Sequence, residues 1–274
     1  MKYGCCFNMI AGVPGGIGAE HLAAFRQFGY DYAELPLAEM LRLPPSDLTA
    51  LRDAVFESGL PCEGCNNFFP TDIRLTGPNV DFPAVFEYVD RAIATAASFG
   101  AKNIVFGSGG AKHVPDGYST ADAYAQIVRM LQYAASVCAK YDMTIAIEPL
   151  RKAECNIINT FAEGARLSSH VGSARVGVLV DLFHLVCEDE SYQNINAYGP
   201  GRLVHVHISN PNGRMFPVLH DGSETAYRLF SESILHIGYD GRISCEAYST
   251  NAQADAPRTL ALLQHYFDRT ERTA

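Results

Sequence analysis

Four apolar runs in the second half of the chain end on side chains that normally stay in water. Thr144-Ile-Ala-Ile-Glu148 closes on a carboxylate, and Val178-Leu-Val-Asp181 closes on another, with His184 just beyond. Val204-His205-Val206-His207-Ile208 carries two imidazoles two residues apart, and Ile243-Ser-Cys-Glu246 closes on a third carboxylate. Residues two apart on a strand share a face, so each run can deliver its polar group to one side. Carboxylates gathered in an apolar setting repel and resist ionisation unless a cation compensates them. Glu148, Asp181, Glu246 and one imidazole would supply oxygen and nitrogen ligands to a divalent ion. His207 lies nearer the strand end than His205, so His207 is the expected ligand and His205 belongs to the layer beneath. This donor set suits Mn²⁺, Mg²⁺ or Co²⁺ better than a thiolate-rich zinc site. One Mn²⁺ per chain is the expectation, with Zn²⁺ a further candidate. A single strand-end Glu is usually a salt-bridge partner, and a buried His is usually a satisfied core residue. Convergence on four successive runs is what favours the metal.

These four runs belong to a series. Strand-like segments occur at Tyr3–Asn8, Tyr32–Leu37, Cys62–Phe69, Asn103–Gly107, Met143–Glu148, Gly177–Asp181, Leu203–Ile208 and Ile243–Tyr248. Amphipathic stretches separate them: Ala19–Phe28, Ser46–Glu57, Phe82–Phe99, Ser119–Tyr141, Thr160–Ser169, a short one near Ser191–Ala197, Ser223–His236 and Pro257–Arg269. Serine before a helical run and glycine after it mark several boundaries, such as Gly29 and Gly59. Strands alternating with helices mean a parallel sheet, and eight such units with no linker predict a closed (β/α)8 TIM barrel, one domain over residues 1–274. Active sites in such barrels sit at the C-terminal ends of the strands, where the polar groups are. The glycine-rich Gly12–Gly18 segment lacks the Lys-Ser/Thr of a phosphate loop and reads as a loop over the barrel mouth. Glu34 and Cys65–Asn67 are candidates either for lining the pocket or for packing and hydrogen bonding.

The chain has 274 residues, 48% hydrophobic and 19% charged, with a formal net charge of -9. The acidity argues against nucleic acid and anionic membranes as partners, because both select a basic footprint. The start, Met1-Lys2-Tyr3-Gly4, shows neither an apolar export segment nor a cleavage site, and no apolar run reaches membrane-spanning length. A cytoplasmic location is therefore expected. The eight cysteines read as reduced thiols, most of them in apolar segments. Cys62-x-x-Cys65 lacks the second pair that a four-thiolate zinc site would need.

The segments Glu148-Pro-Leu-Arg-Lys-Ala-Glu154, Asp181-Leu-Phe-His184, His205-Val-His207 and Glu246 resemble, in order and spacing, the xylose-isomerase-like sugar isomerases and epimerases. The ketose 3-epimerase branch, the tagatose and psicose epimerases, is the nearest in pattern. The resemblance implies that Glu148, Asp181, His207 and Glu246 hold the metal, and that Glu154 and His184 contact substrate oxygens near the reacting carbonyl. Arg214 would take the part of the family's loop arginine, although the surrounding loop differs and a Gly-x-Gly is missing. The implied reaction is proton transfer beside a carbonyl through a cis-enediolate, with Glu148 and Glu246 as the acid–base pair. Return of the proton to the same carbon gives an epimer, and return to the adjacent carbon gives an aldose–ketose isomer. Two alternatives stand beside it: a metal-dependent lyase or deglycosidase acting on 3-oxo-glycosides, and a non-catalytic sugar-binding barrel. The expected partner is a small sugar or sugar derivative. The helical outer ring is also compatible with a homodimer or homotetramer.

Overall fold

The computed structural model describes residues 1–268. Its strands are β1 (Lys2–Cys6), β2 (Tyr32–Pro36), β3 (Cys62–Asn66), β4 (Asn103–Phe106), β5 (Thr144–Ile147), β6 (Val176–Asp181), β7 (Leu203–Ile208) and β8 (Arg242–Cys245). All neighbours pair in parallel, and β8 pairs back onto β1, closing the barrel. The helices are α1 (Leu22–Phe28), α2 (Leu37–Met40), α3 (Pro45–Ser58), α4 (Phe82–Ser98), α5 (Gly109–Lys112), α6 (Thr120–Lys140), α7 (Phe161–Val171), α8 (Leu182–Cys187), α9 (Gln193–Tyr198), α10 (Glu224–His236) and α11 (Ala252–Phe267). The eightfold barrel is the fold that the sequence pattern implies.

Local chemistry accounts for most of the boundaries. Ser119 caps α6 by accepting from Asp122 N, and Thr160 with Glu163 forms a reciprocal capping box on α7. Gly29 and Gly59 end α1 and α3 at φ of 97° and 68°, a left-handed conformation that costs glycine little. The last helix begins at Ala252, earlier than Pro257 suggests. Asn251 accepts from Ala254 N and sets the start, so Pro257 sits inside the helix. The expected end of that helix, Arg269, lies outside the described residues. Three short helices absent from the sequence pattern, α2, α5 and α8, follow strands directly and build the barrel mouth.

Several strands stop one to three residues before the sequence pattern does, because the chain leaves the sheet at the rim. The ladder nevertheless extends slightly further: Glu148 N donates to Phe106 O at 3.1 Å, and Glu246 N donates to Ile208 O at 3.0 Å. Those bonds hold the two glutamates in strand-like orientation. Two residues before Gly107, Glu148 and Asp181, and so on the same strand faces, Val105, Ala146 and Leu179 form a small buried apolar cluster. Gly4 leaves room for the Tyr32 ring, which a Cβ would overlap. All eight cysteines are free thiols, and only Cys187 is exposed. Among the described residues no helix is long and apolar enough to cross a membrane.

Candidate active site

Glu148, Asp181, His207 and Glu246 come from four successive strand ends, and one ligand atom from each lies within 4.8 Å of all the others. All four are buried. His207 Nδ1 donates to Glu148 Oε1 at 3.2 Å and lies 3.2 Å from Glu246 Oε2. Its other nitrogen, Nε2, donates to Glu34 Oε1 at 3.0 Å. Asp181 Oδ1 accepts from Phe183 N at 2.6 Å, which caps α8, whereas Asp181 Oδ2 has no hydrogen-bond partner.

Arg214 covers this group. Its guanidinium donates to Glu246 Oε2 and lies 3.6 Å from Asp181 Oδ2 and 3.7 Å from Glu154 Oε1. It also stacks 5.2 Å from the centre of the Phe183 ring. The backbone of Arg214 is left-handed, with φ of 52°, strain that places the side chain inward from its loop. Burial would raise the Glu246 carboxyl, but Arg214 and His207 hold it below the usual range. Burial and the neighbouring Glu246 push Glu148 upward. Asp181 is raised as well, again chiefly by burial. Burial disfavours the His207 cation, yet Glu34 and Glu246 keep it protonated well above its ordinary range.

Of the substrate-contact candidates, Glu154 and Arg214 line a cavity of about 400 Å³ that also reaches Glu148 and Glu246. His184 does not reach its wall. It is 3% exposed, accepts from Arg151 N through Nδ1 at 3.2 Å, and leaves Nε2 3.8 Å from Asp181 Oδ2. Gly107 also contributes by absence, since a Cβ there would overlap Glu148 Oε2.

The sequence leaves the role of one supporting group, Glu34, open between pocket lining and packing or hydrogen bonding, and misses another, Lys112. Glu34 is fully buried and accepts from His205 Nε2 at 2.7 Å, from His207, and from Ser244 Oγ at 2.6 Å. Ser244 in turn meets the Tyr32 hydroxyl at 2.8 Å. Burial opposes its ionisation, but His207 and His205 draw the carboxyl well below its ordinary range. A carboxylate in mid-strand was the only available signal, and it could not tell packing from this network. Lys112 is also fully buried; its Nζ donates to Glu148 O at 3.0 Å and lies over the Phe106 ring. Nothing in Gly109-Gly110-Ala111-Lys112 announces that role.

The arrangement fits a divalent ion. Glu34, Glu148, Asp181 and Glu246 face one guanidinium and one imidazolium, which leaves the cluster net negative, and Asp181 Oδ2 is an orphaned buried acceptor. The donor set, three carboxylates and an imidazole whose far nitrogen is fixed by a carboxylate, is that of a hard-to-borderline metal site with its outer support in place. Glu34→Gln should therefore weaken Mn²⁺ binding about 10- to 100-fold with the fold retained. Calorimetric titration of wild type and variant checks this, and equal affinities would reduce Glu34 to a packing role.

A closed parallel barrel with this cluster at its C-terminal rim defines a class, and the chain belongs to it. The model of the xylose isomerase-like TIM barrel family matches residues 22–266. A probable ketose 3-epimerase from Synechocystis sp. is 26% identical over 231 residues, 82% of this chain and 76% of that protein. Further curated sugar epimerases and a hydroxypyruvate isomerase align over about half of their own length or less. Among solved structures, a D-allulose 3-epimerase from Methylomonas sp. in complex with D-allulose superposes with a TM-score of 0.84 at 20% identity, covering 97% of each chain. A 3-keto-D-glucoside 4-epimerase from E. coli superposes with a TM-score of 0.78 at 20% identity, over 97% of this chain and 99% of that one. The relatives belong to the sugar epimerases and isomerases.

Proposed function

We propose that this protein is a divalent-metal-dependent ketose epimerase or isomerase that moves a proton at a carbon beside a carbonyl. The observation carrying this reading is the convergence of Glu148, Asp181, His207 and Glu246 within 4.8 Å, at a cavity that both glutamates line. Those four residues would hold the ion, Mn²⁺ being the expected one. When bound, it would polarise the substrate carbonyl and lower the acidity barrier of the neighbouring C–H.

The protein's own groups supply the rest. Glu148 on the β5 side and Glu246 on the β8 side are the proton carriers: one removes the carbon-bound proton, and the other delivers a proton to the opposite face. Arg214 and Glu154, both on the cavity wall, orient substrate oxygens, while the Phe183 ring keeps the guanidinium in place. His184 sits beside the cluster, its Nε2 3.8 Å from Asp181 Oδ2. Lys112 fixes the carbonyl of Glu148 and so the direction of its side chain. A purely sugar-binding barrel would have no need for two buried glutamates facing one cavity.

Deuterium wash-in tests the reading: protein and Mn²⁺ in D₂O with a panel of free ketoses, aldoses and 3-oxo-glycosides, followed by NMR. Exchange beside the carbonyl of a ketose, abolished by chelator, is the expected result. Release of aglycone from a 3-oxo-glycoside without ketose exchange would replace this reading with a lyase. No exchange across the panel, with metal bound, would overturn it.

A further inference from the structure

We infer that Cys6, with His207 and Glu246, forms a second ligand set that draws thiophilic divalent cations, Zn²⁺ or Cd²⁺, away from Glu148 and Asp181 and lets them displace Mn²⁺. The inference rests on the metal reading above. Adjacent residues on a strand point to opposite faces, so Cys5 and Cys6 at the end of β1 serve different layers. Cys5 lies in register with Cys245, and Cys6 with Glu34. Glu34 meets His207 across the barrel interior, and Cys6 lies on that same side, its Sγ 3.8 Å from His207 Nε2. One ligand atom from each of Cys6, His207 and Glu246 lies within 4.8 Å of the other two. The cluster of Glu148, Asp181, His207 and Glu246 contains the same imidazole and the same Glu246 carboxylate. The two sets thus share an edge: one completes it with two carboxylates, the other with a thiol. Cys6 and His207 are both fully buried, and an ion reaches them past Glu246, which lines the cavity.

Ligand softness decides between the sets. Mn²⁺ and Mg²⁺ favour carboxylate oxygens, whereas soft thiolate selects Zn²⁺ and its heavier congener. Zn²⁺ accepts Cys, His and carboxylate ligands together, and three protein ligands with one open position is a common arrangement for it. On coordination the thiol gives its proton to solvent and binds as thiolate. Cys6, His207 and Glu246 supply one ligand of each kind, so the thiol sets which ions can compete for the centre.

The test adds stoichiometric Cd²⁺ to the Mn²⁺-loaded protein. The ultraviolet thiolate-to-Cd²⁺ charge-transfer band reports sulfur coordination, and paramagnetic resonance reports released Mn²⁺. Wild type, Cys6→Ser and Cys187→Ser are compared, the last removing the exposed thiol. Wild type and Cys187→Ser should show the band together with release of Mn²⁺. Cys6→Ser should lose the band and bind Cd²⁺ about 10-fold or more weakly, with Mn²⁺ affinity within about threefold of wild type. Cd²⁺ that leaves Mn²⁺ in place, or displaces it without the band, overturns the second set, a result that needs no variant. A band that survives in Cys6→Ser overturns it too, as does an equal loss of affinity for both ions there. Wild type that binds neither ion removes the metal reading itself, and this set with it. Mn²⁺ bound with the Cys6 expectations unmet removes only the second set.

Discussion

Glu246→Gln is expected to reduce net epimerisation about 10³-fold while leaving the fold intact, and Glu148→Gln to do the same. The physical basis is that a proton carrier must sit on each face of the reacting carbon, and these two carboxylates approach from β5 and β8. Gln keeps a ligating oxygen and the approximate volume, so the metal site should survive while proton transfer is lost. The two variants should differ in one respect. Each keeps one working base, so each should still exchange deuterium into one epimer of the substrate pair, and the favoured epimer should be opposite in the two. Running wash-in on both epimers with both variants reads this directly. Loss of all exchange from either single variant, with metal affinity unchanged, would mean that one glutamate does both jobs. Full activity in both would remove them from the chemistry.

Arg214→Met is expected to destabilise the metal-free protein by about 3–5 kcal/mol, the usual consequence of leaving buried charges without their partner. The guanidinium donates to Glu246 and lies 3.6 Å from Asp181, so with His207 it supplies the positive charge facing the cluster when no metal is present. For a domain of this size that loss corresponds to roughly 10 °C in Tm, from about 2–4 °C per kcal/mol. Saturating Mn²⁺ should recover most of it, because the ion compensates the same carboxylates. In wild type, metal at 100 times Kd adds only about 2.7 kcal/mol. Melting both proteins with chelator and with Mn²⁺ therefore gives a larger metal-dependent gain in the variant. Equal gains would show that Arg214 carries no compensating role. Metal binding should also release the His207 proton, since burial is outweighed there by Glu34 and Glu246, which hold the ring protonated. Affinity for Mn²⁺ should accordingly rise with pH through that titration.

Much of this molecule is legible without coordinates. Eight strand–helix units follow from periodicity and punctuation, since apolar runs, N-caps and closing glycines act over a few residues. The four polar strand ends, Glu148, Asp181, His207 and Glu246, stand out for the same reason: a charge that ends an apolar run conflicts with its own neighbours in the sequence. Where a local signal misled, another local signal had prevailed. Pro257 looks like a helix start, but Asn251 caps the chain first and the proline is absorbed within α11.

Other features exist only once the barrel closes. Glu34 on β2 and His207 on β7 are 173 residues apart, and only closure of the barrel puts them 3.0 Å from each other. Lys112 reaches the Glu148 carbonyl because α5 turns directly back over the end of β5. Arg214 reads as an ordinary loop residue until a left-handed backbone turn aims it at three carboxylates: Glu154 in the loop after β5, Asp181 at the end of β6 and Glu246 just past β8. Sequence alone determined the barrel and the strand ends that carry ionisable groups, because backbone hydrogen bonding and apolar periodicity are short-range. Which groups compensate, orient and neutralise one another was decided by tertiary structure, because electrostatic partnership depends on distance through space, and closing the barrel sets those distances.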